Sequence, residues 1–202
     1  MESYQSNKEL RLVYKKLRDE MSTDLRNLKS EGIVDNVLAL LESDFKGANI
    51  FLCFYPFASE VDLIPLYKKL LENGKDLYFP VSDIKNHKLN FIHIKDLVKD
   101  FHIGSFGIME PNDDLKKFDY QEALNNKTQI VSITPGLIFD KKFNRIGYGA
   151  GFYDRFLSDK QMIITIAPIF SEQLVEHLDV YEHDVPMKYI VTETEVLKGE
   201  RL

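Results

Sequence analysis

Short apolar runs alternate along the chain with longer stretches of helical periodicity, and this alternation constrains the fold more than any other feature of the sequence. The run 50–55, for example, is apolar at every position, which is typical of a strand buried on both faces of a sheet. Residues 7–29 instead repeat apolar side chains at steps of three and four, the spacing of one helical face. Buried strands separated by helices predict an α/β fold: a single domain with a largely parallel central sheet flanked by helices.

The same periodicity predicts where the elements begin and end. We expect helices over residues 7–29 and 33–41, interrupted at Gly32, and a third helix that Asp62 caps and that ends near Gly74. Because no repeat, low-complexity tract or linker interrupts the elements, we expect residues 1–202 to form one domain. The predicted strands cover residues 50–55, 77–81, 89–94, 130–133, 162–167 and 189–192.

The charge balance limits the partners that the protein can have. The sequence contains 26 Lys+Arg against 32 Asp+Glu, a formal net charge of −6, whereas nonspecific binding to nucleic acid or to an anionic membrane needs an excess of basic residues. Residues 1–5 lack the apolar core of a signal peptide, and no run approaches the roughly 20 apolar residues of a membrane span. Cys53 is the single cysteine and is expected to be a buried, reduced thiol. We therefore expect a cytoplasmic protein that binds neither nucleic acid nor membranes.

A glycine-rich segment is the strongest local indication of a ligand site. Gly147, Gly149 and Gly151 stand at alternate positions between Arg145 and Asp154, in a loop that follows a predicted strand. Ligands of open α/β sheets bind beyond the carboxyl ends of the strands, and backbone N–H groups, a guanidinium and a carboxylate together suit a phosphate accompanied by Mg²⁺. The spacing is neither the P-loop nor G-x-G-x-x-G, and on spacing alone a glycine-rich turn without a ligand explains it equally well.

Longer segments around this loop resemble a known family. Residues 135–140 (PGLIFD) and 144–157 (NRIGYGAGFYDRFL) are similar to the signature of the 5-formyltetrahydrofolate cyclo-ligases. Shorter segments follow in the order of that family: 8–11 resembles its basic N-terminal motif, 59–61 its substrate loop, 109–111 a mid-chain landmark, and 183–184 with 190–193 its C-terminal end. The chain departs from the family pattern at Asn7, Phe143, Ala150 and Phe152. Asn7 leaves Lys8 as the nearby lysine.

The resemblance implies an activity. The family converts 5-formyltetrahydrofolate and ATP to 5,10-methenyltetrahydrofolate, ADP and phosphate with Mg²⁺, which implies phosphorylation of the formyl oxygen followed by ring closure. Positioning and charge neutralisation dominate such reactions. The expected partners are thus two small molecules, the folate and ATP, and the expected metal is Mg²⁺.

The resemblance also implies a role for individual residues. Arg145 and Tyr153 are the expected catalytic residues, and Asp154 and Asp184 the expected metal ligands. Lys15 and Arg18, which share a helix face with Lys8 and Arg11, receive no role from the resemblance and are expected to form a solvated basic face. The expected ATP-binding residues are Lys8, Arg11, Arg145, Gly147, Tyr148, Gly149, Ala150, Gly151, Phe152 and Tyr153. The expected folate-binding residues are Tyr55, Glu60, Tyr148, Gly149, Ala150, Gly151 and Phe152.

Two other functions compete with this interpretation. A sugar-phosphate isomerase of similar size would hold a substrate phosphate in the same kind of basic, glycine-rich loop without needing ATP. A nucleotide- or folate-binding module would keep the pocket but lack turnover. ATP dependence separates the ligase from the isomerase, and turnover separates it from the binding module.

Overall fold

Helices and strands alternate along most of the chain. A computed structural model describes residues 6–104, 107–112, 114–179, 181 and 183–199, so residues 1–5, on which the prediction about a signal peptide rests, lie outside the described residues. The helices are α1 (Asn7–Asp19), α2 (Thr23–Asp44), α3 (Ile64–Glu72), α4 (Tyr120–Asn125) and α5 (Phe152–Leu157). The strands are β1 (Ile50–Leu52), β2 (Asp76–Asp83), β3 (Lys88–Ile94), β4 (Phe101–Ile103), β5 (Met109–Pro111), β6 (Ile130–Ile133), β7 (Ile138–Asp140), β8 (Arg145–Ile146), β9 (Ile164–Pro168), β10 (Leu174–Val175), β11 (Tyr189–Val191) and β12 (Val196–Lys198).

The main sheet has seven strands in the order β12-β11-β9-β6-β1-β2-β3. The five central strands β11, β9, β6, β1 and β2 run parallel to one another. The edge strands β12 and β3 are antiparallel to the strands that they pair with. Buried clusters cover both faces of the sheet, one including Val37 of α2 and Tyr67 of α3, the other including Leu157 of α5. The prediction of an α/β domain with a largely parallel central sheet flanked by helices is confirmed. No helix of the described ranges is long and apolar enough to cross a membrane.

The predicted division of the N-terminal helices is wrong. The break falls after Asp19 and not at Gly32, because Ser22 caps α2 by accepting a hydrogen bond from the Leu25 amide at 3.3 Å. Gly32 lies inside α2, where an added Cβ would come within 3.3 Å of the Glu193 Cβ. This glycine therefore permits close packing of the helix against the C-terminal segment and does not end the helix.

Other boundaries differ by a few residues. The predicted strand 50–55 ends at Leu52, after which the chain enters the loop that leads to α3. Leu63, not Asp62, occupies the cap position of α3, although the Asp62 carboxylate still accepts from the Ile64 amide at 3.0 Å. The predicted strand 162–167 begins two residues later, and Met162 is exposed. Predictions fail here at the ends of elements, where capping and packing outweigh periodicity.

Two small sheets lie outside the main one and were not predicted. The strands β10, β7 and β8 form a three-stranded sheet, and β4 and β5 form a hairpin. Strands of two or three residues contain too little alternation to be recognised in a sequence. The β7–β8 pair matters for function because the glycine-rich segment begins where β8 ends.

Candidate active site

The glycine-rich segment is a loop between β8 and α5. Gly149 has φ +106° and Gly151, the residue that precedes α5, has φ +65°. Residues other than glycine rarely adopt these backbone conformations. Arg11 of α1 donates from Nε to the Gly147 carbonyl at 2.8 Å, and an added Cβ at Gly149 would lie 3.5 Å from its guanidinium carbon. The loop backbone at these glycines therefore carries no side chain of its own that would block a ligand, and the Arg11 guanidinium of α1 lies beside it.

Arg145 and Asp154 form a direct ion pair at the two ends of this loop. The Arg145 Nη2 donates to Asp154 Oδ1 at 2.7 Å, and the side chains are 4% and 18% exposed. The Arg145 Nη1 also donates to the Pro135 carbonyl at 3.5 Å, while its buried Nε has no partner within the described ranges. A buried guanidinium with an unused donor suits an anionic ligand, because a buried donor without a partner costs free energy.

A buried carboxylate that was not predicted shapes the turn before β8. Asp140 is fully buried, and its Oδ1 accepts from the amides of Lys142 and Asn144 at 2.9 and 2.8 Å. Its Oδ2 accepts from the Leu178 amide at 2.9 Å. Phe143, one of the departures from the family pattern, has φ +68°, so this turn requires the conformation that glycine adopts most easily. Asp140 therefore sets the direction in which Arg145 enters the cleft.

The opposite wall is the loop that follows β1. The Glu60 side chain is 10% exposed, accepts from the Tyr148 hydroxyl through Oε1, and accepts from the Phe57 amide through Oε2 at 2.9 Å. Burial raises the pKa of Glu60, against the opposing effects of the Tyr148 hydrogen bond and the Arg18 charge. Tyr148 is 51% exposed as a whole residue, but its hydroxyl lies between Glu60 and Arg18, and burial together with the Glu60 charge raises the pKa of this phenol well above its usual range.

Arg18 does not belong to a solvated basic face, so that expectation is wrong. Its side chain is 5% exposed and donates from Nε to the Ser59 hydroxyl at 3.0 Å and from Nη1 to the Tyr148 hydroxyl at 3.1 Å. Lys15 fits the expectation better, since it is 56% exposed and pairs with Asp19 at 2.5 Å. Spacing placed the two residues on one helix face, but it contained no information on the depth to which the end of α1 is buried.

The two walls enclose a cleft of about 920 Å³. Its size lies within the range of small-molecule sites, about 300–1,000 Å³. Lys8 is exposed and does not line the cleft, whereas Asn7 does, so the structure adds no contact that supports Lys8 as the nearby lysine. Lys15, Arg18, Met109 and Glu110 also line it without having been predicted. The predicted residues that the cleft brings together are Arg11, Tyr55, Glu60, Arg145, Gly147, Tyr148, Gly149, Ala150, Gly151, Phe152, Tyr153, Asp154 and Asp184.

Aromatic side chains provide the apolar part of the cleft. Tyr55 packs edge-on against Phe101, with ring centroids 5.0 Å apart, and it also lines the cleft. Tyr55 therefore contacts both the core and the cleft. The Tyr153 hydroxyl is buried and has no hydrogen-bond partner among the residues that the structure describes. Burial and the nearby Glu60 charge raise the pKa of Tyr153 well above its usual range. At neutral pH this phenol therefore retains its proton and can donate a hydrogen bond to a ligand.

The predicted metal ligands, Asp154 and Asp184, both line the cleft. The Val185 amide donates to Asp154 Oδ1 at 3.4 Å, which brings the segment of Asp184 beside Asp154. The described residues contain no group of three or more His, Cys, Asp or Glu side chains that could hold a metal ion by themselves. Mg²⁺ commonly takes one or two carboxylates together with substrate phosphates and water, so this pair fits Mg²⁺ brought in with a nucleotide and does not fit a metal held by protein alone.

Fold and cleft together define an α/β protein with a cleft of small-molecule size at the carboxyl ends of its parallel strands, lined by a glycine-rich loop. The chain belongs to the 5-formyltetrahydrofolate cyclo-ligase family, whose model matches residues 3–193. The 5-formyltetrahydrofolate cyclo-ligase of Haemophilus influenzae is 29% identical over 91% of this chain and 95% of the relative. The enzyme of the same name from Escherichia coli is 34% identical over 74% of this chain and 80% of the relative.

A solved structure agrees with these relatives. The NMR structure of the Aquifex aeolicus 5,10-methenyltetrahydrofolate synthetase superposes with a TM-score of 0.78 at 27% identity, covering 96% of this chain and 93% of that one. The predicted family and the assignment as a ligase are therefore confirmed. The comparisons do not favour a sugar-phosphate isomerase or a binding module without turnover.

Proposed function

We propose that the protein converts 5-formyltetrahydrofolate to 5,10-methenyltetrahydrofolate with ATP as the phosphoryl donor. The observation that carries the proposal is the pairing of two unlike walls in one cleft. Arg11 and Arg145 flank the glycine loop on one wall, and the buried Glu60 carboxylate lies on the other. A cationic wall suits a triphosphate, and an anionic wall suits the N–H groups of a folate.

The cationic wall would bind the phosphates of ATP. Arg145 offers its unused Nε, and Arg11 lies against Gly149, whose backbone can approach an anion closely. These residues would hold the transferred phosphoryl group in line with its acceptor and neutralise the charge that develops on it, which is most of what such a reaction requires.

The other wall would bind the folate. Glu60 has acceptor capacity beyond its bonds to Tyr148 and the Phe57 amide, and a carboxylate can accept about four hydrogen bonds in all. Tyr55 and Phe152 line the same cleft and would pack against the folate rings. The buried Tyr153 hydroxyl, with its retained proton, would donate to the formyl or phosphoryl oxygen.

The reaction then needs no covalent intermediate on the protein. The formyl oxygen on N5 takes the γ-phosphoryl group, and the bond between that group and ADP breaks. The N10 lone pair attacks the activated carbon, the carbon–oxygen bond breaks to release phosphate, and N10 loses its proton. Arg145 and Tyr153 would stabilise the negative charge on the oxygens in both steps.

Asp154 and Asp184 would hold Mg²⁺, which when bound neutralises part of the triphosphate charge.

We also propose that residues 1–202 form one domain and that the protein acts in the cytoplasm. A cytoplasmic location is in keeping with the Cys53 thiol, which is free and fully buried.

The test mixes the protein with 5-formyltetrahydrofolate, MgCl₂ and ATP and follows the near-ultraviolet absorbance of the methenyl product. The expected result is a rise that requires both ATP and the folate and that releases ADP and phosphate in equal amounts. A folded protein that gives no ATP-dependent rise contradicts the proposal. Binding of both ligands by calorimetry without any rise would favour a binding module instead.

A further inference from the structure

The end of α1 buries a charge that the proposed chemistry does not use. The Arg18 side chain is 5% exposed, although its neighbours Leu17 and Asp19 are exposed. A guanidinium removed from water must be compensated by hydrogen bonds or by an opposite charge. The hydrogen-bond partners of Arg18 therefore indicate which role the residue has in the cleft.

Those partners come from two other segments of the cleft. Arg18 Nε donates to the Ser59 hydroxyl at 3.0 Å, and Ser59 in turn donates to Asp19. Arg18 Nη1 donates to the Tyr148 hydroxyl at 3.1 Å, and Tyr148 donates to Glu60 Oε1. One side chain thus connects α1, the loop after β1 and the glycine loop.

The distance from Arg18 to Glu60 differs from that of a closed ion pair. Arg18 Nη1 lies 4.0 Å from Glu60 Oε1, which is beyond hydrogen-bond length, and the Tyr148 hydroxyl bridges the two. At this distance the guanidinium still favours the ionised carboxylate but occupies none of its lone pairs directly. The charge of Glu60 is compensated while acceptor positions stay available to a ligand.

We propose that Arg18 is a positioning residue for folate: it keeps the Glu60 carboxylate ionised and fixes it, through Tyr148, in the orientation that receives the N–H groups of the substrate. The proposal rests on the proposed function, because it assigns Arg18 to the folate wall. It predicts an effect on folate and not on ATP, even though Arg18 lies on the same helix as Arg11.

The charged and titratable groups near Glu60 fix the expected pH effect. Arg18 faces it from α1, Tyr148 from the glycine loop, Tyr153 from α5 and Tyr67 from α3. The three tyrosines have pKa values raised by burial and are neutral in the working pH range, so Arg18 supplies the positive charge. Removing that charge raises the pKa of Glu60 further, and folate binding is then lost at a higher pH as the solution is acidified.

The experiment compares Arg18→Met and Arg18→Lys with Arg26→Met, an arginine of α2 outside the cleft. KM values for 5-formyltetrahydrofolate and for ATP, and kcat/KM for the folate against pH, are measured on each variant after its melting temperature has shown that it is folded. For Arg18→Met we expect the folate KM to rise about tenfold or more and the ATP KM to change less than about twofold. In the plot of kcat/KM for the folate against pH, the decrease on the acidic side, the acidic limb, should occur at higher pH for Arg18→Met than for the wild type.

Arg18→Lys keeps the charge but not the two-pronged geometry, so it should restore the acidic limb and leave a smaller increase in the folate KM. If the Met variant does not fold, the Lys variant decides: a raised folate KM with the wild-type acidic limb supports the proposal. Unchanged KM values and an unchanged profile, with only a lower melting temperature, overturn it and leave Arg18 a role in stability. A wild-type protein without turnover would instead contradict the proposed function itself.

Discussion

Two buried arginine–carboxylate pairs line the cleft, and they are built differently. Arg145 and Asp154 form a closed pair at 2.7 Å, within one short segment of chain. Arg18 and Glu60 form an open pair at 4.0 Å, bridged by a tyrosine, and they come from α1 and from the loop after β1. The closed pair joins the two charges directly but leaves the Arg145 Nε without a partner among the described residues, whereas the open pair leaves part of the carboxylate for a ligand.

The difference assigns different physical tasks to the two walls. A closed buried pair is costly to break, about 3–5 kcal/mol when one partner is removed, and this one joins the two ends of the glycine loop. Burial raises the pKa of Glu60 despite the opposing Arg18 charge, so the ionised carboxylate is less favourable in the folded protein than in the unfolded chain. We interpret the wall with Arg145 and Asp154 as a preformed phosphate site. We interpret the wall with Arg18 and Glu60 as a site that becomes complete when its ligand binds.

The largest effect should come from breaking the closed pair at its arginine. Arg145→Met removes the proposed phosphate ligand and leaves the Asp154 carboxylate without its ion-pair partner. We expect turnover to fall by about a hundredfold or more and the melting temperature to drop, since charged hydrogen bonds contribute about 1.5–3 kcal/mol each. Saturating kinetics and calorimetry on one preparation measure both. Activity within tenfold of the wild type would remove Arg145 from the reaction.

Breaking the same pair at its carboxylate should have a smaller effect with a different signature. Asp154→Asn keeps the size of the side chain but withdraws the charge that faces Arg145 and that would bind Mg²⁺. We expect a lower melting temperature and a higher Mg²⁺ concentration for half-maximal activity. A destabilised variant with an unshifted Mg²⁺ curve would mean that Asp154 serves the ion pair alone.

The open pair predicts a pH dependence of stability. Because the pKa of Glu60 is raised above its ordinary value of 4.5, the folded protein holds its proton to higher pH than the unfolded chain does. Its contribution is therefore most favourable at low pH and is lost as the pH rises through the raised pKa. The melting temperature of the wild type, measured relative to Glu60→Gln from pH 8 to pH 5, should increase on acidification. A constant difference would show that Glu60 titrates normally.

The smallest effect is expected outside both walls. Lys8 is exposed and does not line the cleft, so Lys8→Ala should change the KM for ATP by no more than about twofold, as surface substitutions usually do. A tenfold increase would mean that the N-terminal end of α1 moves when the nucleotide binds.

The sequence predicted both residues of the closed pair as members of one site, although not as an ion pair, and it gave no sign that Arg18 pairs with Glu60. Arg145, Gly149 and Asp154 lie in one segment, and their chemistry is local enough to read directly. Arg18 and Glu60 are joined only by the packing of α1 against the loop after β1, which periodicity does not encode. The same contrast holds for the fold: β6 was predicted to the residue, whereas the cap at Ser22 and the buried Asp140 depend on contacts made after folding.

The assignment of ATP to one wall and folate to the other is tested most directly by measuring both KM values on Arg11→Ala and on Glu60→Gln. Arg11→Ala should raise the KM for ATP by about ten- to a hundredfold and change that for folate by less than about twofold. Glu60→Gln should do the reverse. If each variant instead raises both KM values to the same extent, the two walls do not bind separate substrates, and the account is wrong.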